Sequence, residues 1–330
     1  MSRRHVVLVT YGEPPTASFG AQLRYSWRIL LGLTRSVAPI PIPLLPWIAF
    51  SRARFRTRLW TTERYGSPLE PITRDQAAGL VLALASVAPG TDWRVHVAYE
   101  FRDPTLLATV CLLPDDEPVD VMPAYVADSA FTHEIARSTL ARWPGGRARR
   151  APLRVLPPLD EEILADLCAR HVITEAARRN AVGPEWGVVL AAHGTLLEPR
   201  RPIETGRVAT ERIAARIAAH LTGHFGAVRL GWLNHVYGGR WTGPPVEVAL
   251  RRMVEAGFRR LVYFPFGFSA DNAESELEGR IALRAAPELE SIHLPCLNAA
   301  PEYLEALARQ LACAIPAHGI SSVDSFAGRG

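Results

Sequence analysis

The chain has 330 residues, 48% of them apolar and 21% charged, which is a soluble globular composition with enough core material for two domains. The net charge of +4 is small and scattered, and gives no support to nucleic acid as a partner. All 37 basic side chains are arginine, no window of about 18 uninterrupted apolar residues exists to span a bilayer, and the separated Cys111, Cys168, Cys296 and Cys313 fit neither a disulfide framework nor a zinc site.

MSRRHVVLVTYGEP runs directly into a β-branched strand over 5–14 with no secretory leader, so the expected location is the cytoplasm. Residues 37–50, VAPIPIPLLPWIAF, are apolar but carry four prolines, which predicts neither a regular helix nor a central strand. Such a lip is either a loop packed on its own domain, a contact for a flat apolar ligand, or a peripheral contact with the inner face of a membrane. The arginine runs at 52–58 and 147–150 read either as solvated faces or as docking surfaces for acidic groups. A helix over 72–88 opens with Thr73 as a candidate cap and Gln76 three residues on. Strands follow at 92–101 and 118–126, then a Pro- and Gly-rich stretch at 143–160. The alternation restarts with a helix over 160–178 and strands at 186–194, 228–235, 259–269 and 291–298, separated by helices at 206–221, 245–256 and from about 271. A last helix covers 301–315, and the two ends of the chain are expected to fray. The expected architecture is α/β: two Rossmann-like, doubly wound parallel-sheet domains, 1–160 and 161–330, with a cleft between them. The last helix is a candidate to pack back on the N-terminal half.

In doubly wound folds ligands sit beyond the carboxyl ends of the strands. Those ends here carry Tyr11-Gly12, then Tyr125 with Asp128 and Ser129, then His193-Gly194-Thr195, then Trp232, Asn234 and His235. The last informative strand leads into Asp271, Asn272, Glu274, Glu276 and Glu278. A glycine after His193 lets the backbone turn and leaves the imidazole at the sheet edge, where it can accept protons near neutral pH or bind a metal. Glu274 and Glu278 share a helix face, as a solvated surface or as a carboxylate row that guides protons or cations. G-x-G-x-x-G, G-x-S-x-G, H-E-x-x-H and a P-loop lysine are absent.

In order along the chain, VLVTYGEP (7–14), YGSPLEPITRDQ (65–76), MPAYVADSAFT (122–132), AAHGT (191–195), GWLNHVYGGRWTGP (231–244), PFGFSADNAESELE (265–278) and CLNAAPEYLEAL (296–307) resemble the ferrochelatases. These enzymes insert Fe2+ into a porphyrin. The resemblance runs across nearly the whole chain and implies a chelatase-like fold, a lyase of haem biosynthesis acting on protoporphyrin IX or coproporphyrin III, and iron as substrate with no organic cofactor. The cysteines do not suit the iron–sulfur cluster of some members. Carried over by position, His193 and Glu274 flank the pyrrole nitrogens as catalytic groups and, with Tyr11, as metal ligands. Glu278 and Asp271 continue a proton or metal relay, and Tyr11, Trp47, Tyr125, Ser129, Trp232 and Trp241 meet the macrocycle. The state implied is a monomer or homodimer.

The sequence departs from the family pattern at several pocket positions. Asn272 stands where a second histidine is usual, Glu100 where a basic residue is common, and Phe101 in place of Tyr or His. Leu30 and Leu31 fall about where the bacterial branch carries arginines that meet propionates, with Arg24, Arg28 and Arg35 nearby. Fewer cations suit a less acidic tetrapyrrole. The alternatives are therefore a chelatase for another metal and tetrapyrrole, such as cobalt with sirohydrochlorin, and a porphyrin- or haem-binding relative that has lost turnover.

Overall fold

The computed structural model describes residues 2–36, 41–141, 149–199, 202–234 and 240–314. Part of the lip, Arg147, His235 and the last sixteen residues, 315–330, lie outside these. In chain order the elements are β1 (Ser2–Thr10), α1 (Phe19–Ser36), α2 (Leu45–Thr62), α3 (Leu69–Val87), β2 (Thr91–Tyr99), α4 (Leu106–Cys111), β3 (Val119–Pro123), α5 (His133–Ala141) and β4 (Leu153–Val155). Then come α6 (Glu161–Ala177), β5 (Gly183–His193), α7 (Arg207–His220), β6 (Phe225–Leu233), α8 (Val246–Glu255), β7 (Arg260–Phe264), a π-helix (Ala273–Glu278), α9 (Gly279–Leu283), β8 (Glu290–His293) and α10 (Pro301–Cys313).

The strands form two four-stranded parallel sheets with the same winding, β2-β1-β3-β4 and β6-β5-β7-β8. Each sheet starts with its second-placed strand and then grows to either side. The winding therefore reverses between β1 and β3 in one sheet and between β5 and β7 in the other. Connections leave in opposite directions at these two points and open a crevice at the strands' carboxyl ends. Helices cover both faces of a parallel sheet, so the strands read as continuous apolar runs. In β5, Trp186 through Ala192 are all buried.

One apolar core joins the halves. It takes Val6 and Leu8 from β1, Leu80 and Leu84 from α3, Leu164 and Val172 from α6, Val188 and Leu190 from β5, and Leu304 and Leu311 from α10. α10 lies against α3 so closely that a Cβ on Gly79 would stand 2.4 Å from Leu304 Cδ1. Three bonds fix one half on the other beside the cleft: Gln76 Nε2 donates to the carbonyls of Ser269 (3.2 Å) and Asn298 (3.0 Å), and Ser269 Oγ donates to the carbonyl of Ala124 (2.5 Å).

Two local expectations are corrected. The lip is more regular than its prolines suggest: a 3-10 turn over Ile42–Leu44 leads into α2, which holds Pro46 in its first turn. A first-turn proline removes an N–H that has no helical partner anyway. Likewise α3 begins at Leu69 rather than at Thr73, whose hydroxyl lies inside the helix and donates to the Leu69 carbonyl at 2.7 Å. No described helix is long and apolar enough to cross a membrane.

Candidate active site

β5 ends at His193, and the segment after β7 brings Glu274 to meet it. His193 Nδ1 lies 2.8 Å from Glu274 Oε2, with the imidazole well exposed and the carboxylate partly so. The pair therefore sits at the point where the C-terminal sheet reverses its winding. Gly194 is needed there for space rather than for turning: a Cβ would stand 1.7 Å from Asn234 Oδ1, and its N–H donates to the Leu233 carbonyl at 2.7 Å. The constraint is the close approach of the β5 and β6 ends.

Glu274 is presented by a helix of unusual pitch. Asn272 caps it, its Oδ1 accepting from the N–H groups of Glu274 (2.8 Å) and Ser275 (3.2 Å), while Ser275 Oγ accepts from Asn272 N–H (2.8 Å). The segment is a π-helix where an α-helix is expected from about 271, and such wide turns recur at functional sites. Glu274, Glu276 and Glu278 are partly exposed, while Ala273, Ser275 and Leu277 between them are buried. Burial and the charge of Asp271 raise the Glu276 carboxyl.

Across the cleft, the N-terminal sheet contributes an aromatic wall at its own reversal point. Tyr11 follows β1 and Tyr125 follows β3, and their ring centroids are 4.8 Å apart. Phe101 stacks on Tyr11 at 5.8 Å with an interplanar angle of 11°. The Tyr11 hydroxyl donates to the Phe131 carbonyl at 2.8 Å. Burial, and then the charges of Glu100 and Glu274, push its phenol well above the usual range. Tyr11 thus faces the cleft as a neutral phenol, near enough to Glu274 to sense its charge. Gly12 adopts φ 74°, and a Cβ there would strike Tyr99 at 2.4 Å, so the chain can leave β1 in this direction only at a glycine.

Glu100, just past β2, completes this wall. Both of its carboxylate oxygens are buried without a hydrogen-bond partner. Burial pushes its carboxyl well above the ordinary range, moderated by the neighbouring Tyr125 hydroxyl. The residue that stands in place of a family cation is therefore a carboxyl held among phenols, its proton affinity raised by burial.

Other expected site residues are not brought to the cleft. Trp232 is 1% exposed and belongs to the central core, so no macrocycle reaches it. Ser129 is buried and closes a turn, accepting from Phe131 N–H at 3.1 Å. Both oxygens of Asp271 accept bonds from the 296–298 segment, one from the Cys296 N–H (2.8 Å) and one from Asn298 Nδ2 (2.7 Å), so the residue latches that segment. Trp241 is half-buried and bridges to Leu196 just past the His193 strand end, and Trp47 stands 70% exposed on α2. Leu30 packs on Leu45 and Ala49 of α2, with Leu31 beside them, so these two join the helices rather than line the cleft. Arg28 pairs with Asp103 at 2.9 Å, while the Arg35 side chain is outside the described set. Of the second arginine run, Arg149 donates to the carbonyls of Pro114 (2.5 Å) and Glu117 (2.8 Å), and Arg150 pairs with Asp115 at 2.8 Å, so both hold a loop of their own domain.

One residue escaped the sequence reading. Glu13, in the YGEP segment, is buried and accepts from Ser67 Oγ, from Ala273 N–H (2.9 Å) and from Arg56 Nη2 (3.4 Å). The available signal was a carboxylate set between Gly12 and Pro14 at the end of a buried strand.

The family model for ferrochelatase matches residues 3–313. The chain belongs to the ferrochelatase family. It is 26% identical to the ferrochelatase of Xylella fastidiosa strain M23, covering 94% of this chain and 98% of that one. It is also 26% identical to the ferrochelatase of a Polaromonas species, covering 93% and 87%. Among solved structures, it superimposes on CbiX, the terminal enzyme for biosynthesis of siroheme in denitrifying bacteria, with a TM-score of 0.52 at 19% identity over 94% of this chain and all of that one. A multi-domain Deinococcus radiodurans protein with structural similarity to chelatases gives 0.55 at 16% identity, over 94% of this chain and 55% of that one. The two structures support the chelatase fold, and the family membership identifies the chain as a metal chelatase of the lyase class.

Proposed function

We propose that this ferrochelatase-family chain inserts Fe2+ into a porphyrin in the cleft between its sheets, with His193 and Glu274 as the groups that do the chemistry. The observation that carries this is the 2.8 Å pair at the β5–β7 reversal point, opposite the Tyr11–Tyr125 wall.

Insertion requires that two pyrrole protons leave and that the metal shed its water. A neutral imidazole is suited to the first task because its ordinary pKa lies near neutral pH. Glu274, bonded to Nδ1, stabilises the imidazolium that forms when the ring takes a proton. The carboxylate also supplies an oxygen ligand to a metal leaving its hydration shell. Tyr11, partly exposed and backed by the buried Phe101, offers an aromatic face toward the macrocycle. Holding the ring bent exposes its nitrogen lone pairs at a strain of about 1–5 kcal/mol, drawn from binding elsewhere. Glu278 extends the acidic edge from Glu274. Iron enters as substrate, and the reading calls for no organic cofactor.

The porphyrin itself is set by groups around the rim. Glu100 in place of a cation favours a tetrapyrrole with fewer acidic substituents, protoporphyrin IX over coproporphyrin III. The lip suits a peripheral membrane contact: Ile42, Leu44, Trp47, Phe50 and Phe55 are exposed on or beside α2, interleaved with exposed Arg54 and Arg58.

The deciding experiment mixes the purified chain anaerobically with Fe2+ and each porphyrin and follows loss of porphyrin fluorescence. Loss with protoporphyrin IX that disappears in His193→Ala supports the reading. Porphyrin that stays bound and fluorescent makes the protein a binder instead, and turnover only with Co2+ and sirohydrochlorin makes it a different chelatase. Flotation with anionic liposomes tests the lip, and absence from the floating fraction removes the membrane contact.

A further inference from the structure

Glu13 ties together segments from distant parts of the chain. It follows β1, and its three bonds go to three different segments. Oε1 accepts from Ser67 Oγ, in the turn between α2 and α3, and from the N–H of Ala273, the first residue of the π-helix. Oε2 accepts from Arg56 on α2. Arg56 is itself buried and continues outward: Nε donates to Gln22 Oε1 on α1 at 3.0 Å, and its guanidinium lies over the rings of Trp60 (5.0 Å) and Tyr25 (5.7 Å). α2 is the helix that carries the exposed lip residues Trp47, Phe50 and Phe55.

The π-helix needs this contact. The first N–H groups of any helix have no partner within it. Asn272 satisfies those of Glu274 and Ser275, and Glu13 satisfies that of Ala273. The turn that presents Glu274 is therefore held at its start by two residues, one local and one 260 positions away. An apolar contact runs beside the polar one: Trp60 at the end of α2 and Tyr65 pack against Ala273 and Leu277.

We infer that Glu13 is a positioning residue that couples helix α2 to the turn carrying Glu274, so that the placement of α2 helps to hold Glu274 in its working orientation. This rests on the chelatase reading of the cleft for its consequence, though not for the coupling. Glu13 touches neither substrate nor metal. It acts through the backbone of Ala273 on one side and the guanidinium of Arg56 on the other. Whatever fixes α2 fixes Arg56, and through Glu13 it fixes the N-terminus of the π-helix.

Two measurements test this. The first needs no porphyrin. Hydrogen–deuterium exchange is followed in the full chain with Arg56→Met, a change on the lip side that removes no hydrogen bond made by the π-helix itself. Coupling predicts severalfold faster exchange across 273–279 with β5 unchanged; identical exchange there overturns it. The second is steady-state iron insertion. Glu13→Ala removes the acceptor for Ala273, and a misplaced group of this kind lowers kcat by about tenfold to a hundredfold, with porphyrin affinity by fluorescence quenching nearly unchanged. Glu13→Gln has the same shape and keeps an oxygen for Ala273 and Ser67, so it recovers most of kcat and is the variant that must fold. A native kcat in Glu13→Ala, or equal impairment in both variants, overturns the positioning role. If the unmodified chain inserts no iron, the functional reading fails, and the exchange measurement still decides the coupling alone.

Discussion

The two walls of the cleft are built at equivalent points of two sheets with the same winding, yet they are chemically opposite. The C-terminal wall holds an exposed imidazole bonded to a carboxylate, followed by two more partly exposed carboxylates. The N-terminal wall holds stacked aromatic rings and a carboxyl whose pKa burial raises. On the proposed reading one crevice topology serves two tasks: the open, charged side exchanges protons and cations with solvent, and the closed, aromatic side receives the macrocycle. A wall's chemistry follows from burial as much as from residue type, since Glu100 and Glu274 are the same side chain in different surroundings.

The most severe way to break this contrast is to remove the base. His193→Ala should lower iron insertion by about a thousandfold, within the range for loss of a general base. Porphyrin binding should persist, because the aromatic wall is intact. Stopped-flow fluorescence separates the two, and parallel loss of binding would place His193 in the binding surface instead. Glu274→Gln comes next. It keeps a hydrogen-bond acceptor for His193 Nδ1 but removes the charge that stabilises the imidazolium, and kcat should fall by about a hundredfold. A fall of less than about tenfold would mean that the orientation of His193, not the charge, is what Glu274 supplies.

Glu100→Gln sharpens the contrast from the other side, with a smaller effect of opposite sign. The folded carboxyl has its pKa raised above the ordinary 4.5 of the unfolded chain, by burial. Folding therefore takes up a proton at any pH between the two values. The stability tied to Glu100 is fully present below the unfolded pKa and is lost as pH rises toward the folded one. Glutamine mimics the protonated acid without that cost. The variant should match the native chain near pH 4.5 and exceed it at pH 8 by at least about 1 kcal/mol, since each tenfold gain in a carboxyl's proton affinity on folding corresponds to ~1.4 kcal/mol. Denaturant titrations at both pH values measure this. A variant equally stable relative to native at both would show that Glu100 is ionised in the fold.

Much of this was legible in the sequence. The strand ends announced themselves because a central parallel strand must be apolar until it leaves the sheet. His193 after VVLAA and Tyr11 after VVLVT both mark such exits. The resemblance of ordered segments added the partnership of His193 with Glu274, which no spacing alone can give across 81 positions. What stayed hidden were properties that depend on packing. Trp232 and Asp271 have the side chains of site residues, but the fold uses one as core and the other as a latch for the 296–298 segment. The helix in the lip was masked by prolines that the first turn tolerates. Glu13 was invisible because its partners come from α2, the 65–68 turn and the π-helix, none of them near it in sequence.

The mildest test concerns the joint between the walls and the chemistry. Asn272 stands where the family usually has a histidine, and in this chain it is a cap: its side-chain oxygen accepts from two N–H groups at the start of the π-helix, and its own N–H is bonded to Ser275. Asn272→Ala should cost about 1 kcal/mol of stability, the usual effect of losing such a cap, with a modest fall in kcat because the backbone of Glu274 loses one anchor. Asn272→Asp keeps the capping oxygen and should restore stability. Asn272→His returns the usual family side chain but gives up the carbonyl-type acceptor, so it should gain activity only if a second imidazole outweighs a loosened turn. If Asn272→His is both more active and no less stable, capping is not what holds Glu274 in place, and the charged wall owes its geometry to Glu13 and the apolar packing of Ala273 and Leu277 instead.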